Sequence, residues 1–317
     1  MKKFIITINV LCFLISSITI GQITHESNVL SSGGGESSGG NYSHFAVVGE
    51  AVVSSGISSG TTSTNVGFIY RNINIQLSGI DLAVFLEGPY ASAGVMSEIL
   101  ANNALLPASQ PFNTGPWNYA GTESVVTFPA GVVDWVLVEL RDAVSPEMAF
   151  PSTALDGWPK AMFLKQDGTI VDIDGSRAEV NSLDVVNNLY AVIRHRNHIA
   201  IMSSGSLVLT GNTYVYDFTN DLAKAYGAGA GYKEIETDVF GMVAGDADAD
   251  GNIFMSDRTL WRSNLGIVNS YESSDFDMDG NTYSSDRTLW RANLGSANPI
   301  TGLFKLPTFV SQVPKEK

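Results

Sequence analysis

At 317 residues the chain exceeds one small module and suits two or three domains. A net charge of −14 argues against a nucleic-acid or anionic-membrane surface and favours cations or neutral partners. Only 16% of residues are charged, while Gly, Ser, Thr and Asn are plentiful, a composition that favours strands and turns over long surface helices.

The first 21 residues read as a secretory signal peptide. Lys2 and Lys3 precede an apolar run over residues 4–15, and Thr19 and Gly21 stand at the −3 and −1 positions before Gln22. Cys12, the only cysteine, lies inside this segment, and the Leu11 before it does not suit lipidation. The mature chain therefore has no disulfide, which fits a bacterial exported protein, secreted or held at the cell surface. Residues 22–72 are rich in Gly and Ser but contain strand-length runs such as "HFAVVGEAVV", so a small β segment is expected.

Residues 73–236 read as successive strands. A short helix is expected at "AGVMSEILANNALL", residues 93–106. "VVDWVLVELRD" is a continuous apolar run of strand length. Asp167 and Gly168 stand between two β-rich runs, as do Gly211 and Asn212, and both pairs predict hairpin turns. "LYAVIRHRNHIAIMS" predicts two strands joined by a polar turn. Short connections of this kind suggest an antiparallel β-sandwich of immunoglobulin-like size. The "GAGAG" from Gly227 reads as a linker.

Residues 240–300 contain a duplication. Aligning Asp246 with Asp275 matches 15 of 21 positions through Gly266 and Gly295. In each copy aspartates occupy loop positions 1, 3, 5 and 12, with Gly at 6. They are Asp246, Asp248, Asp250 and Asp257 around Gly251, then Asp275, Asp277, Asp279 and Asp286 around Gly280. Oxygens at alternate positions can converge on one ion as the chain turns, the carbonyls of Asn252 and Asn281 at position 7 add another, and the position-12 carboxylate closes the shell. An all-oxygen set without His or Cys selects calcium over zinc or copper, so two calcium ions are expected. A helix follows each loop. In the first copy it spans residues 257–265, with Leu260, Trp261 and Leu265 on one face and Gly266 after its end. Small size, no cysteine and eight aspartates predict that this segment requires calcium to fold, whereas the strand region supplies its own core. Residues 301–317 form a tail.

Two loop–helix units with Asp at position 12 near the end of an exported chain resemble a dockerin domain. The resemblance implies that positions 10 and 11 and helix residues beyond the core leucines grip a cohesin-like partner. These are Met255, Ser256, Arg262 and Ser263, then Ser284, Ser285, Arg291 and Ala292. Both copies carry Asp at position 3, where dockerins usually carry Asn. The strings "FLEGPY", "QPFNTGPWNYAGTESV", "VVDWVLVELRD" and "FLKQDGTIVDIDG" resemble a module of adhesin-like surface proteins from bacteria with type IX secretion. The fold expected is therefore mainly β, an antiparallel sandwich followed by a small α dockerin-like domain.

Catalytic signatures are few. Asp134 and Glu139 lie five residues apart in one apolar strand, so alternation places them on opposite faces and weakens a glycosidase pairing. His195 and His198 lack a third ligand and read as structural or surface residues at a turn. Trp117, Tyr119 and Trp158 read as core aromatics before sugar platforms. No metalloprotease or phosphate-loop motif is present. The function expected is non-enzymatic calcium-dependent adhesion or protein binding. The alternative is an accessory carbohydrate-active protein, either a sugar-binding module or a glycoside hydrolase component acting on surface polysaccharide.

Overall fold

The computed structural model describes residues 34–39, 42–47, 76–227 and 231–297. The segment expected to be a signal peptide, most of residues 22–72, part of "GAGAG" and the tail lie outside them. The chain divides into residues 1–75 and 76–317. In the first unit β1 (Gly34–Gly39) and β2 (Tyr42–Val47) form an antiparallel hairpin.

The second unit carries the remaining strands in chain order. They are β3 (Leu77–Ala83), β4 (Tyr90–Ser92), β5 (Val95–Met96), β6 (Val132–Ala143), β7 (Lys160–Lys165), β8 (Ile170–Val171), β9 (Ala178–Asn181), β10 (Asn188–Arg194), β11 (Ile201–Met202), β12 (Val208–Thr210), β13 (Thr213–Asp217), β14 (Tyr232–Glu236) and β15 (Val239–Met242). Among the described residues three α-helices accompany them: α1 (Ile99–Asn102), α2 (Met255–Asn264) and α3 (Ser284–Ala292). No helix among the described residues is long and apolar enough to cross a membrane.

One sheet has the order β11-β10-β6-β7-β8, with every neighbour antiparallel. The other has the order β12-β13-β3-β9. In β3 and β13 buried residues alternate, so each turns one face inward. Ile80, Leu82, Tyr214 and Tyr216 from this sheet join Val136, Val138, Leu140 and Ile193 from the five-stranded sheet in one core. Strand β6 is central and buried along nearly its whole length, which explains its unbroken apolar run.

The turns at Asp167–Gly168 and Gly211–Asn212 form as expected, joining β7 to β8 and β12 to β13. The wholly antiparallel expectation is corrected at one place: β13 pairs parallel with β3. The five-stranded sheet separates these strands in the chain, so no hairpin fixes their relative direction. The helix expected over residues 93–106 shrinks to the single turn α1. Its start is taken by the β4–β5 hairpin, whose turn uses Ala93 and Gly94 at φ 52° and 75°.

The boundary expected between 236 and 240 falls inside the β14–β15 hairpin. From there Met242 N–H donates to Phe85 O at 2.8 Å and Glu87 N–H donates to Met242 O at 3.0 Å. The chain thus enters the repeat from a strand anchored in the sandwich. Met278 of the second loop lies in the sandwich core, partly buried Tyr271 packs against that core, and a Cβ on Gly88 would stand 1.9 Å from Phe276 O.

Candidate metal centre

In the first loop a carboxylate oxygen from each of Asp246, Asp248 and Asp250 lies within 4.8 Å of the others. In the second loop the corresponding group is Asp275, Asp277 and Asp286. Sequence reasoning assigned the same positions in both loops, whereas the close set holds position 5 in the first and position 12 in the second. The two loops otherwise repeat one hydrogen-bond pattern. Asp246 Oδ1 and Oδ2 accept from Asp250 N–H (3.1 Å) and Gly251 N–H (3.0 Å), and Asp275 accepts from Asp279 and Gly280 at the same distances. Asp257 accepts from Ala247 N–H (2.7 Å) and Phe254 N–H (2.8 Å), and Asp286 from Phe276 (2.6 Å) and Tyr283 (2.7 Å). Asp250 and Asp279 each accept from the N–H of position 7, Asn252 and Asn281, at 2.8 Å.

The local sequence explains this geometry. Gly251 and Gly280 take φ 87° and 86°, a region that favours glycine, and the preceding turn places Ala249 and Met278 at φ 54° and 58°. The position-12 aspartates also cap the helices. By holding the N–H of Phe254 and Tyr283 they start α2 and α3 two residues earlier than expected.

The two units clasp each other about a pseudo-twofold axis. Trp261 Nε1–H donates to Tyr283 O at 2.7 Å and Trp290 Nε1–H to Phe254 O at 2.9 Å. Arg258 lies over the Trp290 ring and Arg287 over Trp261. Asn252 bridges Ala297, beyond α3, while Asn281 bridges Val268, beyond α2. Both tryptophans are buried. Leu265 and Leu294 are not: they are 53% and 49% exposed. Leu265 directly follows α2 and Leu294 lies two residues beyond the end of α3, so neither keeps the register that would place it on the inner face.

Asp246, Asp257, Asp275 and Asp286 are almost wholly buried. Burial pushes Asp257 and Asp286 up to about 6, partly opposed by the Phe254 and Tyr283 N–H groups. Burial pushes Asp275 up to about 8, offset in part by Arg196, and holds Asp246 well above its usual range, reinforced by the Asp257 charge. Buried acids with all-oxygen surroundings fit a hard divalent cation. Raised folded-state values mean the cation-free protein gains stability from these groups at low pH and loses it as pH rises through about 6 to 8. After exhaustive chelation the protein should therefore melt higher at pH 5 than at pH 8; the reverse order would contradict this electrostatic assignment.

The segment "RHRNH" connects the centre to the sandwich. His195, Arg196, Asn197 and His198 are buried, so of the two readings offered for the histidines the structural one holds and the surface one does not. Asp134 accepts from His195 Nε2 (3.1 Å) and Arg196 Nε (3.0 Å) at one oxygen, and from Tyr271 Oη–H (2.6 Å) and Trp135 N–H (2.7 Å) at the other. Burial alone would raise its pKa, but Arg196, His195 and Tyr271 hold it below the usual carboxylate range. Gly88 N–H donates to His198 Nε2 at 3.1 Å. That leaves the proton on Nδ1, facing Asn197 Oδ1 (2.8 Å) and His195 Nδ1 (3.0 Å). His195 then keeps its proton on Nε2, toward Asp134. Burial pushes both imidazoles below their ordinary pKa, consistent with two neutral rings. Arg196 also stacks on Tyr271 at 4.2 Å and donates to Glu272 O. Asp134, inside an apolar strand and in need of a buried partner, was the available signal for this network.

Glu139 is equally engaged, with Arg141 Nε at 2.7 Å and Arg194 at 2.8 Å. Tyr119 and Trp158 are core residues, and Trp117 packs edge-on against Phe112.

No protein-family model matches the chain, and no curated protein matches it. Among solved structures, the chain is similar to one from an N-terminal interface mutant of a type II cohesin–X-dockerin complex from Acetivibrio cellulolyticus. The TM-score is 0.31 at 11% identity, covering 70% of this chain and 95% of that one. A C-terminal interface mutant of the same complex gives 0.32 at 12%, covering 69% and 97%.

Proposed function

We propose that this chain is an exported, non-enzymatic, calcium-binding protein that acts in adhesion or protein binding, with the loop–helix pair as a dockerin-like docking element. The observation that carries the reading is the doubled loop. Equivalent hydrogen bonds to the position-1, position-5 and position-12 carboxylates agree to 0.1 Å between copies, although six of the 21 aligned residues differ. Asp246, Asp248, Asp250, Asp257 and the Asn252 carbonyl would hold one calcium, and Asp275, Asp277, Asp279, Asp286 and the Asn281 carbonyl the other. The ions would neutralise buried carboxylates that have too few countercharges.

The surface of the pair supports docking. Met255, Ser256, Arg262, Ser263, Ser284, Ser285, Arg291 and Ala292 are all exposed. Phe254, Tyr283, Leu265 and Leu294 add exposed apolar area beside them. Arginines around apolar side chains on an acidic chain suit a protein partner with acidic groups around an apolar patch. The carbohydrate-active alternative draws less support, because Asp134 and Glu139 are both locked in buried ion pairs.

A pull-down from the secreted fraction tests the reading. Capture of a defined partner should require calcium and be lost in Arg262→Glu/Arg291→Glu, while calcium stoichiometry stays at two. Capture insensitive to both chelation and these substitutions would contradict the docking role.

A further inference from the structure

We propose that Asn197, a residue of the sandwich outside both loops, couples the two cation sites so that filling one strengthens the other. The inference rests on the calcium reading above. Asn197 is fully buried between β10 and β11. Its carbonyl oxygen accepts from Gly245 N–H at 3.0 Å and Asp246 N–H at 3.2 Å. Its side-chain Nδ2 donates to Asp275 O at 2.6 Å. Asp246 and Asp275 are position 1 of the two loops, so a single residue holds the backbone at the first ligand of each.

The clamp is oriented from the sandwich side. His198 Nδ1–H binds Asn197 Oδ1, which directs Nδ2 toward Asp275, and His198 is itself set by Gly88 N–H. On the loop side, both oxygens of Asp246 and of Asp275 are tied to the N–H groups of positions 5 and 6. Backbone placement at position 1 therefore fixes where the carboxylate points. Ordering one loop restrains Asn197, and a restrained Asn197 presents an ordered first residue to the other loop. Such a shared ordering step produces positive coupling between sites.

Each loop is also tied to the segment beyond the other unit's helix, at position 7 by the bridges to Ala297 and Val268 and at position 8 by Ile253 N–H to Ser296 O and Thr282 N–H to Ile267 O, both 2.8 Å. Asn197→Ala separates the two routes, because it removes the arm to Asp275 while leaving the carbonyl arm and both bridges in place. Calcium titration of the unsubstituted protein gives two stepwise constants, and Asp257→Ala and Asp286→Ala give each remaining site alone. Coupling of about fivefold or more is expected, falling to near independence in Asn197→Ala with two ions still bound. A purely structural loss would weaken both sites and leave their coupling intact.

If Asn197→Ala does not fold, amide exchange supplies the second readout. In Asp257→Ala, calcium filling only the second loop should slow exchange at Gly245 and Asp246 by about tenfold, roughly the scale of such coupling. Unchanged exchange there, or full coupling retained in Asn197→Ala, overturns the proposal. Two ions binding independently to the unsubstituted protein also overturns it while leaving the calcium reading intact. No binding at all overturns both.

Discussion

In saturating calcium, Asp257→Ala and Asp286→Ala should each bind one ion in place of two and melt well below the unsubstituted protein. Each aspartate is a position-12 carboxylate buried at the start of its helix, with both oxygens accepting backbone N–H groups. Its loss removes one cation and the helix cap together. A site filled to 100–1,000 times its Kd contributes about 2.7–4.1 kcal/mol. For a unit of this size each kcal/mol moves Tm by about 2–4 °C, so a fall on the order of 10 °C is expected. The gap should narrow strongly in chelator, because without the ion each aspartate is a buried acid at a cost to the fold. An equal gap with and without calcium would show that the aspartates act only as caps.

Asp134→Ala should be comparably severe, with calcium or without it. The substitution leaves buried Arg196 and His195 and partly buried Tyr271 without their shared acceptor. Breaking a buried ion pair by removing one partner costs about 3–5 kcal/mol. Asp134 belongs to the sandwich and Tyr271 to the link between the two loop–helix units, so the loss should lower one cooperative transition for residues 76–297. Two separated transitions, only one of them displaced, would contradict this joint packing. Scanning calorimetry distinguishes the outcomes. The same packing alters the expectation that the sandwich folds unaided by calcium. Met278 sits in its core and Tyr271 packs against that core, so residues 73–236 alone would lack part of their apolar contacts.

Features encoded over a few residues could be read directly. The aspartate spacing, the glycines at position 6, the two helices and the turns at Asp167–Gly168 and Gly211–Asn212 each depend on neighbours in the chain. Features that depend on distant partners could not. The parallel pairing of β3 with β13 leaves no mark in either strand. "RHRNH" resembles a polar turn because its partners, Asp134, Gly88, Tyr271 and Asp275, are remote in sequence. Leu265 and Leu294 share the apolar periodicity of their helices but lie one and two residues beyond the last helical residue, where that periodicity no longer sets direction. The helix at residues 93–106 lost to the β4–β5 hairpin, whose Met96 N–H donates to Gln166 O at 2.8 Å, a tertiary bond that local propensity does not register.

If the duplicated loops are two calcium sites, the ion count per chain is fixed at two. Titration calorimetry of the protein, stripped of metal and returned to neutral pH, decides this. Two calcium ions should bind per chain, with magnesium displacing them poorly. Saturation at zero ions, or two ions still bound when Asp257 and Asp286 are both replaced by alanine, would contradict the calcium reading.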